Sequence, residues 1–128
     1  MNSQKGALHK DISIETFCDL VVDGLQDKKG KNIVKLDLRH LDDAPTDFFI
    51  ICEGDSNTQV KALSDGVYGK VKQELGMIPT HVEGQQNSLW ILVDYFDVVV
   101  HVFYHETRKY YELEELWSDA LFTEYDNL

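Results

Sequence analysis

Trp90-Ile-Leu-Val-Asp-Tyr-Phe-Asp-Val-Val-Val-His-Val-Phe103 is the stretch whose reading decides the fold. Two strongly apolar runs, 88–93 and 98–103, flank an acidic corner, Asp94-Tyr-Phe-Asp97. Short runs rich in Val, Ile and Phe, bounded by polar residues, read as β-strands. A connection of four residues is hairpin length, so the two strands are expected to be antiparallel neighbours. The hairpin sets a Trp, a Tyr and a Phe beside two carboxylates. That composition suits a contact surface better than a set of reacting groups.

Working outward, the pattern before the hairpin alternates helices and strands. Ile14, Phe17, Cys18, Val21 and Leu25 recur on one face of a helix over 13–28, with Ser13 as N-cap, Lys28 and Lys29 in the last turn and Gly30 just beyond. Residues 33–39 alternate, Val34, Leu36 and Leu38 facing one way and Lys35, Asp37 and Arg39 the other. Asp42, Asp43 and Pro45 suit a turn, and Phe48-Phe-Ile-Ile-Cys52 is apolar on both faces, as a central strand is. Ser56 and Gln59 fit a capping box that opens a helix along Val60, Leu63, Val67, Val71 and Leu75, stopped by Gly76 and Pro79. Thr80–Glu83 reads as a short strand and 84–88 as a turn. A last helix is expected from Glu106, with Tyr110, Leu113, Leu116, Trp117 and Ala120 on one side; Phe122–Leu128 carries no clear signal. The order α-β-β-α-β-β-β-α predicts an α/β fold with a mixed five-stranded sheet, one parallel crossover around 48–83 and helices packed on the sheet.

Length and composition narrow the function classes. The 128 residues, 43% hydrophobic, suit one domain with a sizeable core, its ordered part expected over about 12–120. No apolar run is long enough to cross a bilayer, and Met1–Lys10 has neither an apolar leader core nor an Arg-rich amphipathic pattern, so a cytoplasmic protein is expected. Cys18 and Cys52 have no metal or redox spacing and read as buried, reduced thiols. The net charge of −11 is unevenly placed. Residues 1–40 carry seven Lys/Arg and six Asp/Glu, whereas residues 41–128 carry five against 17. Such a surface repels phosphate backbones and attracts a basic protein, although acidity alone also serves solubility.

The candidate chemistry is thin. His101 and His105 have the spacing of a helical metal pair, but on a strand they would lie about 13 Å apart at roughly 3.3 Å per residue. His9, His40 and His81 are scattered. Asp94 and Asp97 could hold Mg²⁺ or act as an acid/base pair, but carboxylates at a hairpin corner commonly cap the turn. Gly54-Asp55-Ser56 stands at a helix N-terminus without a phosphate-loop pattern. No nucleophile elbow surrounds Cys52 or Ser56. The aromatic cluster remains. Trp90 shares a face with Leu92 and Asp94 if alternation holds, and packs either into the core or against a partner. Tyr95 and Phe96, at a turn tip, are harder to bury and resemble contact hot spots.

Asp37-Leu-Arg39, Asp47-x-Phe-x-Ile-x-Cys-x-Gly54, Ser56-x-x-Gln59, Glu83-Gly84, the stretch Trp90–Phe103, and Arg108-x-Tyr-Tyr-Glu-Leu-Glu-x-Leu-Trp117 together resemble the Iojap/ribosomal silencing factor (RsfS) family from about residue 12 to 120. The resemblance implies a nucleotidyltransferase-like α/β fold, no enzymatic activity and no cofactor or metal. It also implies docking on a protein of the large ribosomal subunit's intersubunit face, the fourteenth in the usual naming, and the charge distribution adds that this ribosomal protein is basic. Docking there would block joining of the small subunit and repress translation under nutrient limitation. The family's contact positions fall on Trp90 and Tyr95; Asp94 and Phe96 are added here, with direct nucleic-acid contact not expected. Phe96 stands where the family more often has Gly, which supplies positive φ that Phe resists. The hairpin is therefore expected either to use a different turn or to enlarge its patch with Phe96. Two other classes remain open: a nucleotide-dependent transferase using Asp94 and Asp97, and a homo-oligomeric adaptor whose aromatic patch pairs with itself.

Overall fold

The structure is a computed structural model that describes residues 12–128. His9 and the Met1–Lys10 stretch lie outside the described residues. The elements are α1 (Ile14–Asp27), β1 (Lys31–Asp37), β2 (Phe48–Gly54), α2 (Asn57–Leu75), β3 (His81–Glu83), β4 (Trp90–Asp94), β5 (Val98–Tyr104), α3 (His105–Tyr111), α4 (Leu113–Leu116) and β6 (Leu121–Glu124). They form one mixed sheet in the order β3-β4-β5-β2-β1-β6.

Local chemistry explains most boundaries. The Ser13 hydroxyl accepts from the Thr16 amide and the Ser56 hydroxyl from the Gln59 amide, each satisfying an otherwise unpaired donor of the first turn. The second cap differs from a strict capping box: the Gln59 carboxamide oxygen reaches back to the Asp55 amide at 2.7 Å rather than to that of Ser56. Gly76, at φ 67°, closes α2 with its amide on the Lys72 carbonyl. Lys28 and Lys29 lie beyond α1 instead of in its last turn. Lys29, and not Gly30, takes the left-handed conformation, φ 64°, while Gly30 is buried against Leu25 and Leu63.

Alternation divides the strands between two faces. Ile33, Phe48, Ile50, Cys52, Ile91, Val93 and the even-numbered residues of β5 from Val98 to Val102 face α1 and α2 in the larger core cluster. Val34, Leu36, Phe49, Ile51, Val99 and Phe103 lie on the opposite face, where Leu38, Leu41, Ala44 and the segment around Leu113, Trp117 and Ala120 help to cover them. The buried apolar residues of two layers on a sheet supply the driving force for this architecture. The charged side of β1 is not a solvent face: Lys35 and Asp37 flank the α1 side, with the Lys35 ammonium 5.4 Å from the Phe48 ring centroid.

Three expectations are corrected. The sheet has six strands, because Leu121–Glu124 pairs antiparallel with β1, with Leu36 opposite Phe122. The parallel partner of β2 is β5, not the strand directly after α2; β3 pairs only with β4 at an edge. The crossover therefore runs through α2 and the whole β3–β4 hairpin. Finally, the last helix is two short ones, broken at Glu112, which adopts φ 50°. A left-handed residue cannot continue a right-handed helix, so the single apolar stripe is split. Leu113 and Ala120 are buried, whereas Tyr110 and Leu116 are exposed. Arg108 holds this segment to the sheet, with its guanidinium 3.1 Å from Glu53, 2.5 Å from Glu114 and 2.7 Å from the Asn32 carbonyl.

Candidate docking face

The β4–β5 hairpin has the antiparallel register expected of it, with Trp90 opposite Phe103, Leu92 opposite His101 and Asp94 opposite Val99. These pairs lie on the sparsely covered face. Trp90, Leu92 and Asp94 are each only partly buried there. The Trp90 ring stacks on Phe103, 4.7 Å between centroids, and Tyr111 leans on it from α3 at 4.9 Å. Its indole N–H donates to His101 Nδ1 at 3.1 Å. An indole nitrogen can only donate, so that bond fixes the neutral His101 tautomer with its proton on Nε2. Phe49 meets the His101 ring edge-on at 4.5 Å and Trp117 at 6.0 Å. Trp90 is thus an indole held by three aromatic neighbours and one hydrogen bond while part of its surface stays open.

His101 is 4% exposed, and its Nε2 has no hydrogen-bond partner among the described residues. Burial pushes its pKa down to about 3. The sequence marked this residue only as half of a metal pair. Its companion His105 lies at the start of α3 against Tyr104, and no group of three or more His, Cys, Asp or Glu among the described residues could hold a metal. The role of His101 under Trp90 was missed, yet the signal was present: Val99, His101 and Phe103 alternate on one face of β5 opposite the β4 face that carries Trp90.

The turn separates the remaining sequence candidates. Asp94 accepts the Phe96 amide on its carboxylate at 2.7 Å, the capping role that competes with catalysis at such a corner. The Asp97 amide donates to the Tyr95 carbonyl at 3.0 Å and the Tyr95 amide to the Val98 carbonyl at 2.8 Å. Phe96, at the centre of that three-residue bond, has φ 76°. This is the γ-turn of positive central φ, the rarer and more strained of the two γ forms. Phe96 therefore takes the sign of φ that favours Gly, and its ring projects 60% exposed. Its carbonyl accepts from the Thr46 hydroxyl at 2.6 Å, which ties the tip to the β1–β2 loop.

Tyr95 is not at the surface. Its side chain is fully buried on the α1–α2 face, meeting Phe17 edge-on at 5.2 Å, and burial raises its phenol pKa. Alternation explains the reversal. Ile91, Val93 and Tyr95 form one face of β4 and its extension, and Trp90, Leu92 and Asp94 the other, so Trp90 and Tyr95 point to opposite sides of the sheet. Reading Tyr95 as a docking residue is corrected by this geometry. Trp90 and Phe96 are also distant, at opposite ends of β4, roughly 20 Å apart at ~3.3 Å per residue.

Cys18 and Cys52 are buried, and desolvation pushes both thiols up to about 12, which keeps them protonated and unreactive at neutral pH. No helix among the described residues is long and apolar enough to cross a membrane.

A family model described as "Ribosomal silencing factor during starvation" matches residues 11–128. The chain belongs to the ribosomal silencing factor family. It is 40% identical over 109 residues to the ribosomal silencing factor RsfS of Halalkalibacterium halodurans, covering 85% of this chain and 92% of that protein. It is 42% identical over 110 residues to RsfS of Chromobacterium violaceum, covering 84% and 86%. The crystal structure of a Chromobacterium violaceum protein superimposes with a TM-score of 0.79 at 40% identity, covering 84% of this chain and 88% of that one. Helices packed on a mixed sheet are thus a shared property of ribosomal silencing factors and this chain.

Proposed function

We propose that this chain is a ribosomal silencing factor that acts by occupancy. It docks on the large ribosomal subunit through the open sheet face centred on Trp90, prevents the small subunit from joining, and so represses translation when nutrients are scarce. The observation that carries the reading is Trp90 itself. A large ring is left partly open on a sheet face, yet it is fixed by Phe103, Tyr111 and the buried His101. A pre-positioned aromatic loses little freedom on binding, which is what a contact hot spot requires. Leu92 extends the apolar patch, Asp94 lines its acidic side, and the exposed Phe96 offers a second, separate anchor at the turn tip. Tyr95 contributes only through the core beneath.

Charge favours a protein partner over RNA. Residues 41–128 carry 17 acids against five bases, so the surface is drawn to a basic ribosomal protein and repelled by rRNA phosphates. The fourteenth protein of the large subunit is the partner this reading names, and the cytoplasm the compartment. Steric occlusion needs no reacting group, cofactor or metal, and the nucleotidyltransferase-like ancestry is part of the same reading. Asp94 is engaged in capping the turn, which disfavours the Asp94/Asp97 transferase alternative.

Sedimentation of the tagged chain with cell extract at low and high magnesium tests the proposal. Co-migration with free large subunits and absence from joined ribosomes is the expected pattern. Absence from free large subunits, or turnover of ATP by the purified chain, would refute it.

A further inference from the structure

The two edges of the sheet are treated differently. At one edge β3 is three residues long, with His81 and Glu83 at its ends bonded to each other. Shortness and charge are the usual protections of an unpaired strand. At the other edge, β6 reads Leu-Phe-Thr-Glu, without Pro or Lys, and all four residues are exposed, Leu121 at 63% and Phe122 at 42%.

The backbone register shows which groups are free. The Tyr125 amide donates to the Ile33 carbonyl at 3.0 Å, so Ile33 and Tyr125 form a hydrogen-bonded pair. Alternation along an antiparallel ladder makes Lys35–Thr123 the next such pair, and leaves Leu36–Phe122 and Val34–Glu124 as non-hydrogen-bonded pairs. The amides and carbonyls of Phe122 and Glu124 therefore point away from β1, presenting two donors and two acceptors along the open edge. The chain after β6 does not fold back over them. The Asp126 carbonyl accepts from Gln26 and the Asn127 carboxamide oxygen from the Asn32 amide, both toward α1 and the start of β1.

The surroundings select the occupant. Phe122 and Glu124 border a recess of about 360 Å³ that also includes Val34, Arg108 and Glu114. A neighbouring recess of about 450 Å³ adds Glu112 and Glu115. Arg108 is engaged by Glu53 and Glu114, whereas Glu112, Glu115 and Glu124 form no ion pair among the described residues. Three uncompensated carboxylates beside an open edge oppose a second copy of this chain, whose own acids would face them, and suit cationic side chains.

We propose that the free edge of β6 is a strand-addition site for an extended, Lys- or Arg-rich segment of a protein partner. Its alternate side chains project over Phe122 and Glu124 toward the carboxylates of the α3–α4 segment. Main-chain bonds to Phe122 and Glu124 supply register, and every second position of the incoming strand is cationic. This site lies across β1, β2 and β5 from β4 and works whether or not the Trp90 face binds a ribosome.

The probe is a capped ten-residue peptide of alternating Lys and Val, with a Glu-for-Lys counterpart as control, titrated into the isotopically labelled full chain. The expected result is amide shifts concentrated at 121–124, slowed hydrogen exchange at Phe122 and Glu124, and no binding of the control. Glu124→Pro removes an outward N–H from an edge position where Pro is tolerated, and is expected to weaken binding at least tenfold with an unchanged melting profile. Glu124→Gln removes only the charge and is expected to weaken binding less. Shifts located elsewhere, equal binding by Glu124→Pro, or unprotected Phe122 and Glu124 amides in the wild-type complex would overturn the proposal. So would a concentration-dependent dimer of the protein alone that Glu124→Pro dissolves.

Discussion

His101 makes the fold sensitive to mild acid, by an amount the structure allows to be worked out. In the unfolded chain the ring titrates near 6.5; in the folded protein burial holds its pKa at about 3. Between those values the unfolded state binds a proton that the native state excludes. Stability is therefore unaffected above about pH 7 and falls as pH drops through 6.5 toward 3. The slope approaches ~1.4 kcal/mol per pH unit, so about 3 kcal/mol is lost by about pH 4.5. That is a large share of the ~5–15 kcal/mol typical of a domain. Protonation also opposes the local arrangement, because a charged ring would carry a proton on Nδ1, where the Trp90 indole donates. The perturbation that isolates the effect is His101→Phe, which keeps an aromatic ring between Phe49, Trp90 and Phe103. It costs about 1 kcal/mol at every pH for the lost indole bond, but removes the titration. Urea unfolding of both proteins at half-unit steps from pH 7.5 to 4.5 is the assay. The wild-type curve is expected to drop below the variant's by a difference that grows to about 3 kcal/mol once the constant offset is subtracted. Parallel curves would refute the reasoning.

Other perturbations separate the core from the docking face. Tyr95→Phe removes a buried hydroxyl that has no partner among the described residues, so thermal unfolding is expected to show unchanged or up to ~1 kcal/mol greater stability. Tyr95→Glu, by contrast, buries a carboxyl beside Phe17 and is expected to cost about 4 kcal/mol or more, seen as loss of cooperative unfolding by near-UV circular dichroism. Phe96→Gly exchanges left-handed strain for backbone entropy and is expected to leave stability within about 0.5 kcal/mol. Phe96→Val places a β-branched residue at φ 76° and is expected to lose more than ~1 kcal/mol by chemical denaturation. Gly84→Ala would bring a Cβ to 2.0 Å from the Trp90 carbonyl oxygen at φ 90°; it is expected to cost at least ~2 kcal/mol in a melt and to broaden the Trp90 indole resonance.

Much of this fold was legible because its strands and helices have clean periods. The Phe17–Leu25 stripe, the Val34–Leu36 alternation, the Ser56 cap and the β4–β5 pairing all follow from local pattern, and each is found where the pattern puts it. What failed was non-local. β6 is too short and too exposed to carry an amphipathic signal; it exists because β1 offers it a ladder. The break at Glu112 has no Gly or Pro to announce it. The parallel pairing of β2 with β5 depends on where the β3–β4 hairpin packs, which no window of sequence contains. At the site one expectation fails for a local reason. Nearness to a turn suggests an exposed Tyr95, whereas strict alternation from Ile91 and Val93 places it on the face opposite Trp90. The support that His101 gives to Trp90 required the cross-strand register as well as the alternation.

The central claim is that the Trp90 face attaches this chain to the large ribosomal subunit. Its most direct test is the affinity of purified protein for isolated large subunits, wild type against Trp90→Ala, with unfolding curves confirming that both are folded. A loss of about 2–4 kcal/mol, roughly 30- to 900-fold in Kd, is the predicted result. Equal affinity of a folded Trp90→Ala protein would contradict the account.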